Sequence, residues 1–157
     1  MNDSSQNSSE APSDLPSPAG SAVPPQLQGM APEPSTFMRA AGLQMTSIAK
    51  DRVEGYIDVT AAHHQPFGIV HGGVYTSAVE TSASMGAFVA AQEQELTAVG
   101  VSNSTNFLRS MSAGRLAVVA VPLQQGRTTQ LWEVRITDER DRLVAIGQVR
   151  LQNVPLR

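Results

Sequence analysis

Apolar and polar residues alternate with a period of two through much of this chain. Between Arg52 and Thr60, Val53, Gly55, Ile57 and Val59 alternate with Glu54, Tyr56 and Asp58. That period puts one side of the segment in a core and the other in water, which predicts a half-buried strand. Gly42–Lys50 precedes it across a charged turn at Asp51 and predicts a neighbouring strand. In Leu96–Leu108 the alternation sets Thr97, Val99, Val101, Asn103, Thr105 and Phe107 on one face. Arg115–Leu123 is a dense apolar run. In Thr128–Thr137, Gln130, Trp132, Val134 and Ile136 alternate with Leu131, Glu133 and Arg135. A polar turn at Asp138–Asp141 leads to a last strand with Leu143, Ala145, Gly147, Val149 and Leu151 on one face.

One segment breaks the period. Val74–Gln92 lacks proline, is rich in Ala and Ser, and repeats Val74, Ala78, Met85 and Val89 at helical spacing. Its apolar stretch is too short for a membrane span and is interrupted by Glu80 and several serines. The predicted order is β-β-α-β-β-β-β. Strands interrupted by a single helix predict an α+β fold with an antiparallel sheet packed on that helix.

Composition changes this picture at the N-terminus. Residues 1–35 hold seven of the ten prolines and eight serines. Such a segment buries too little apolar surface to offset its ordering entropy, so it is expected to be a disordered tail. It has no basic start or apolar run of a secretory leader, which makes the cytoplasm the expected location. The chain carries a net charge of -3, yet the tail has four acids and no base. The tail is therefore -4 and residues 36–157, the globular domain, are +1. No basic excess exists to bind nucleic acid.

There is no cysteine, so thiol nucleophiles and thiolate metal sites are excluded. Glu80 is the anomaly: it is the only acidic or basic residue between His71 and Glu93. A carboxylate among small residues on a central helix is expected to be poorly solvated, which suits a general base or nucleophile. The same pattern fits a structural Glu bonded to Thr76 or Ser84. His71-Gly72-Gly73 precedes the helix, and the free amides of a first turn suit a developing oxyanion. It fits equally a loop-to-helix joint. His63, His64 and His71 lack a recognised ligand spacing, so no metal is expected; His63 and His64 read as loop surface. Asn106 and Arg109 close one strand, and Gln125–Thr129 joins two others. Arg and hydroxyls there suit phosphate. Gly72 and Glu80 are eight residues apart, about 12 Å along a helix. If both act on one carbonyl, they come from two chains with opposed helices, and the active unit is a dimer.

Two stretches carry a family resemblance: Gln65–Glu80 (QPFGIVHGGVYTSAVE) and Gln125–Ile136 (QGRTTQLWEVRI). The first resembles the signature of hotdog-fold acyl-CoA thioesterases, and the second is similar to their downstream strand pair. The resemblance implies an antiparallel sheet wrapped around a long helix, hydrolysis of an acyl-CoA to acid and CoA, and no cofactor. A Glu at the helix site is similar to the 4-hydroxybenzoyl-CoA thioesterase branch and to enzymes acting on 1,4-dihydroxy-2-naphthoyl-CoA; the phenylacetate branch has Asp. By this resemblance Glu80 is the nucleophile or general base. Gly72 donates its N–H to the thioester oxygen, Gln65 assists and His71 orients the loop. Ser84 stands where the aryl-CoA branch has Thr; it keeps the hydroxyl and loses the methyl. Arg109, Arg127 and Thr128 match positions that meet the nucleotide end of CoA, and Arg157 matches a basic residue near the chain end; Asn106, at a strand end, is taken with them as a CoA contact. The resemblance implies sites shared between subunits and a tetramer.

Two other functions stay open on sequence. An acyl-thioester dehydratase or hydratase would use a His with a Glu across a dimer, as His71 and Glu80 supply. A non-catalytic acyl-CoA-binding module would bind the ester without releasing thiol. Phe67, Tyr75, Phe88 and Phe107 are candidate walls for the acyl pocket.

Overall fold

The computed structural model describes residues 36–156. The expectations for the tail and for Arg157 lie outside the described residues. A short helix α1 (Thr36–Ala41) leads into β1 (Leu43–Ile48) and β2 (Val53–Val59). A 3-10 turn at Ala61–His63 and a loop then reach the long helix α2 (Gly72–Gln92). Four strands follow: β3 (Leu96–Phe107), β4 (Gly114–Gln125), β5 (Thr129–Thr137) and β6 (Leu143–Pro155). The six strands form one sheet in the order β1-β2-β4-β5-β6-β3, and every neighbouring pair is antiparallel. Helix α2 packs against all six strands. The sequence pattern therefore predicted the class and the order of the main elements; α1 is an addition.

The period-two pattern is realised most fully in β5 and β6. Gln130, Trp132, Val134 and Ile136 are buried, as are Ala145, Gly147, Val149 and Leu151. Val53, Ile57, Leu116, Val118 and Ala120 extend the same core across β2 and β4.

The helix meets the sheet with a different face from the expected one. Its buried stripe is Tyr75, Ala78, Val79, Ser82, Ala83, Gly86, Ala87 and Ala91. Val74, Met85 and Val89 are only half-buried at its flanks. Small residues win because the helix sits close to the sheet. A Cβ on Gly86 would fall 2.3 Å from the Trp132 ring. The largest core side chain thus takes its space from the helix backbone.

Strand β3 also departs from the simple alternation. Its pairing with β6 shifts register between Gly100 and Ser102, so Val101 bulges out. A bulge adds one residue and flips all later side chains relative to the earlier ones. Gly100 and Asn103 consequently both face Glu80 of the helix. Thr97, Val99 and Val101 do not share the face of Asn103, Thr105 and Phe107. Val99 and Val101 are both more than half exposed. β3 is an edge strand, with its free side unpaired among the described residues.

Candidate active site

The loop before α2 is built by its own hydrogen bonds. Gly68, at φ 75°, turns it back, a conformation open to glycine. The amide of Gln65 donates to Ile69 O at 2.8 Å, and that of Val70 to Met111 O at 2.8 Å. The amide of His71 donates to His63 O at 2.8 Å. His63, expected at the surface, is buried instead. Its Nδ1 accepts the Thr60 amide at 3.1 Å, and its ring edge fills the space a side chain at Gly42 would need. Burial, with His64 beside it, holds the His63 pKa below the ordinary value.

His71 caps α2. Its Nδ1 accepts the Gly73 amide at 2.8 Å, and its carbonyl accepts the Val74 amide at 2.9 Å. An accepting Nδ1 leaves the neutral ring's proton on Nε2. Of the first three amides of the helix, two are therefore taken by His71. The Gly72 N–H has no partner among the described residues, and Gly72 lines a cavity of about 360 Å³. Gln65, His71, Tyr75, Phe107 and Arg109 line the same cavity. A Cβ at Gly72 would fall 2.6 Å from the Phe107 ring, so glycine keeps the approach to that amide open. The Tyr75 and Phe107 rings lie 5.7 Å apart, and the Tyr75 hydroxyl is buried without a partner. Of the four candidate pocket walls, Tyr75 and Phe107 line this cavity. Phe67 is 85% exposed and Phe88 is half-buried; neither lines this cavity.

Glu80 does not line it either. Its half-buried side chain faces β3. Asn103 Nδ2 donates to Glu80 Oε2 at 2.9 Å and to Thr76 O at 3.2 Å. Thr105 in turn donates to Asn103 Oδ1 at 2.7 Å, which fixes the amide's orientation. Ser84 Oγ donates to Glu80 Oε1 at 3.4 Å. Gly100 leaves room for the carboxylate, since a Cβ there would fall 2.5 Å from Oε1. Asn103 and Gly100 were not singled out on sequence. They lie 23 and 20 residues from Glu80, and only the Val101 bulge brings both onto it.

Arg109 belongs to the Gly72 cavity, whereas Asn106 is exposed on β3 outside it. Arg127 and Thr128 are exposed in the β4–β5 loop, which packs near Ala90, Glu93 and Gln94 at the far end of α2. That helix has 21 residues and spans about 30 Å. Within one chain the proposed CoA contacts therefore split between its two ends. Among the described residues no group of three acidic or histidine side chains is placed to hold a metal. None of their helices is long and apolar enough to cross a membrane.

Comparison with known proteins places this arrangement. Residues 67–145 match the model of the thioesterase superfamily. The chain belongs to that superfamily. It is a thioester hydrolase with the hotdog fold. Rv1847 of Mycobacterium tuberculosis, provisionally described as an esterase, is 46% identical over 123 residues, 77% of this chain and 88% of that protein. Its solved structure superposes with a TM-score of 0.75, covering 78% of this chain and 99% of that one. A 1,4-dihydroxy-2-naphthoyl-CoA hydrolase of Listeria monocytogenes is 36% identical over 107 residues, 68% of this chain and 86% of that protein.

Proposed function

We propose that this protein hydrolyses an acyl-CoA thioester, of the aroyl class, to the free acid and CoA in a site shared by two copies of the chain. The observation that carries this is the division of labour along α2. The one unclaimed first-turn amide, Gly72, opens into the cavity with Gln65 and Arg109, while Glu80 faces the free edge of the sheet. Gly72 N–H and Gln65 polarise the thioester carbonyl. Glu80 of a second copy either attacks that carbonyl, giving a mixed anhydride that water then hydrolyses to the acid and free Glu80, or takes the proton of an attacking water. In both routes the C–S bond breaks and the CoA sulfur takes up a proton to leave as the thiol. A two-fold axis crossing the helices near Thr76 sets Gly72 beside Glu80 of the other copy. The same axis carries the second copy's 126–129 loop to the end where Arg109 lies, which reunites the two halves of the CoA contact. The exposed Val99 and Val101 on an unpaired edge strand are the kind of surface such a pairing covers. The aroyl preference rests on the name of the Listeria relative and on the Tyr75–Phe107 walls.

Two measurements test this. Benzoyl-, hydroxybenzoyl-, phenylacetyl-, dihydroxynaphthoyl- and straight-chain CoA esters are ranked by kcat/KM from thiol release; the aroyl esters are expected to lead. The strongly impaired Glu80→Gln and Gly72→Ala chains are then refolded together. Mixed dimers keep one intact site of two, so about a quarter of wild-type activity returns. No recovery would mean that one chain supplies both groups.

A further inference from the structure

The β4–β5 loop is held by a chain of buried amides that the mechanism above does not use. Gln130 is 2% exposed and Asn153 is 9% exposed. Trp132 Nε1 donates to Gln130 Oε1 at 3.0 Å. Gln130 Nε2 donates to Ala87 O of α2 at 3.0 Å and to Asn153 Oδ1 at 2.8 Å. Asn153 Nδ2 then donates to Gly126 O at 3.0 Å and to Arg127 O at 3.2 Å. The backbone amide of Asn153 donates to Thr128 O at 2.9 Å. Neither amide can be turned over. Indole N–H only donates and peptide carbonyls only accept, so both ends of the chain are chemically fixed.

One residue thus gathers three successive carbonyls. In a planar trans peptide the N–H points opposite to the C=O. With the carbonyls of Gly126 and Arg127 drawn inward, the amides of Arg127 and Thr128 point outward. Both side chains are exposed. Successive outward amides beside a guanidinium and a hydroxyl form a surface suited to phosphate oxygens. An apolar pair at positions 130 and 153 would fill the volume and leave the loop carbonyls without their donors. Gln125, whose Nε2 donates to Lys50 O at 2.5 Å, ties the other side of the loop to the β1–β2 turn.

We propose that Asn153, oriented by Gln130, is a positioning residue for CoA: it sets the β4–β5 loop that grips the nucleotide end, without touching the reacting atoms. This rests on the assignment of Arg127 and Thr128 to that end. The test compares one acyl group carried on CoA and on N-acetylcysteamine, which lacks the nucleotide. In Asn153→Ser the KM for the CoA ester is expected to rise about tenfold with kcat held within about twofold. The kcat/KM for the N-acetylcysteamine ester is expected to stay within about twofold of wild type. A fall of equal size on both esters, or no change on either, overturns the proposal. If Arg127→Ala raises the KM for the CoA ester and Asn153→Ser does not, Asn153 alone loses its role. If Arg127→Ala leaves that KM unchanged, the nucleotide-end assignment fails and the inference falls with it. Should Asn153→Ser not fold, hydrogen exchange on the wild-type protein decides. Added CoA is expected to slow exchange across residues 126–129, and no slowing there overturns the proposal.

Discussion

At the N-terminal end of α2, His71 takes the amides of Gly73 and Val74, His63 and Met111 hold the incoming loop, and one free N–H opens into a cavity. Two turns further along, Glu80 sits on a different side of the same helix, steadied by Asn103 and facing an edge strand. The first region is finished within the chain; its donor is aimed before any ligand arrives, which is what an oxyanion site needs. The second is supported from behind and left open in front. On the function proposed above, the difference means that Glu80 is positioned by its own chain yet acts outside it. Eight residues of helix keep the two groups apart, and a second copy is the economical way to bring them together.

The largest effect separates chemistry from scaffold. Glu80→Gln is expected to lower kcat by about a thousandfold or more while circular dichroism and oligomeric state stay unchanged. Wild-type-like turnover would remove Glu80 from the mechanism. Gly72→Ala attacks the other region. The new methyl meets the Phe107 ring, which is exposed enough to swing aside into the cavity. A loss of about 10- to 100-fold in kcat/KM is expected, with the fold retained by thermal melt. A smaller step tests the support behind the carboxylate. Asn103→Ala removes a 2.9 Å hydrogen bond to Glu80, and kcat should fall about tenfold with KM little altered.

The smallest effect concerns the loop's own stability. Burial keeps the His63 pKa below its ordinary 6.5, so the folded chain favours the neutral ring. Protonation therefore favours unfolding. The stability from this group is complete above about pH 6.5 and declines as the pH falls below it. Urea melts of wild type and His63→Gln should differ by about 1 kcal/mol at neutral pH, and the gap should close on acidification. A gap that widens in acid would contradict this account of the buried ring.

Some of this was legible along the chain. β5, and β6 from Ala145 onward, follow the alternation because one sheet face is buried there and the pattern has to match the pleat. Glu80 stood out because a lone carboxylate among small residues is locally unusual; the glycine pair at the helix start is a common feature, and the roles of Gly72 and Gln65 were sharpened only by the family resemblance. His63 did not: a histidine in a polar loop resembles any surface histidine until the loop folds back over it. Asn103 was one more polar residue on an alternating strand. Its role depends on a bulge at Val101, and a valine there carries no local mark of one.

The sequence by itself determined which segments become strands and helix, because periodicity is a property of neighbours in the chain. It also removed thiol chemistry, because composition decides which groups exist. Tertiary structure alone decided which first-turn amide stays free and which face of α2 enters the core. It also decided that Asn103 steadies Glu80 and that Asn153 gathers the loop carbonyls. Those outcomes depend on contacts between residues far apart in the chain, where register, bulges and close packing choose the partners.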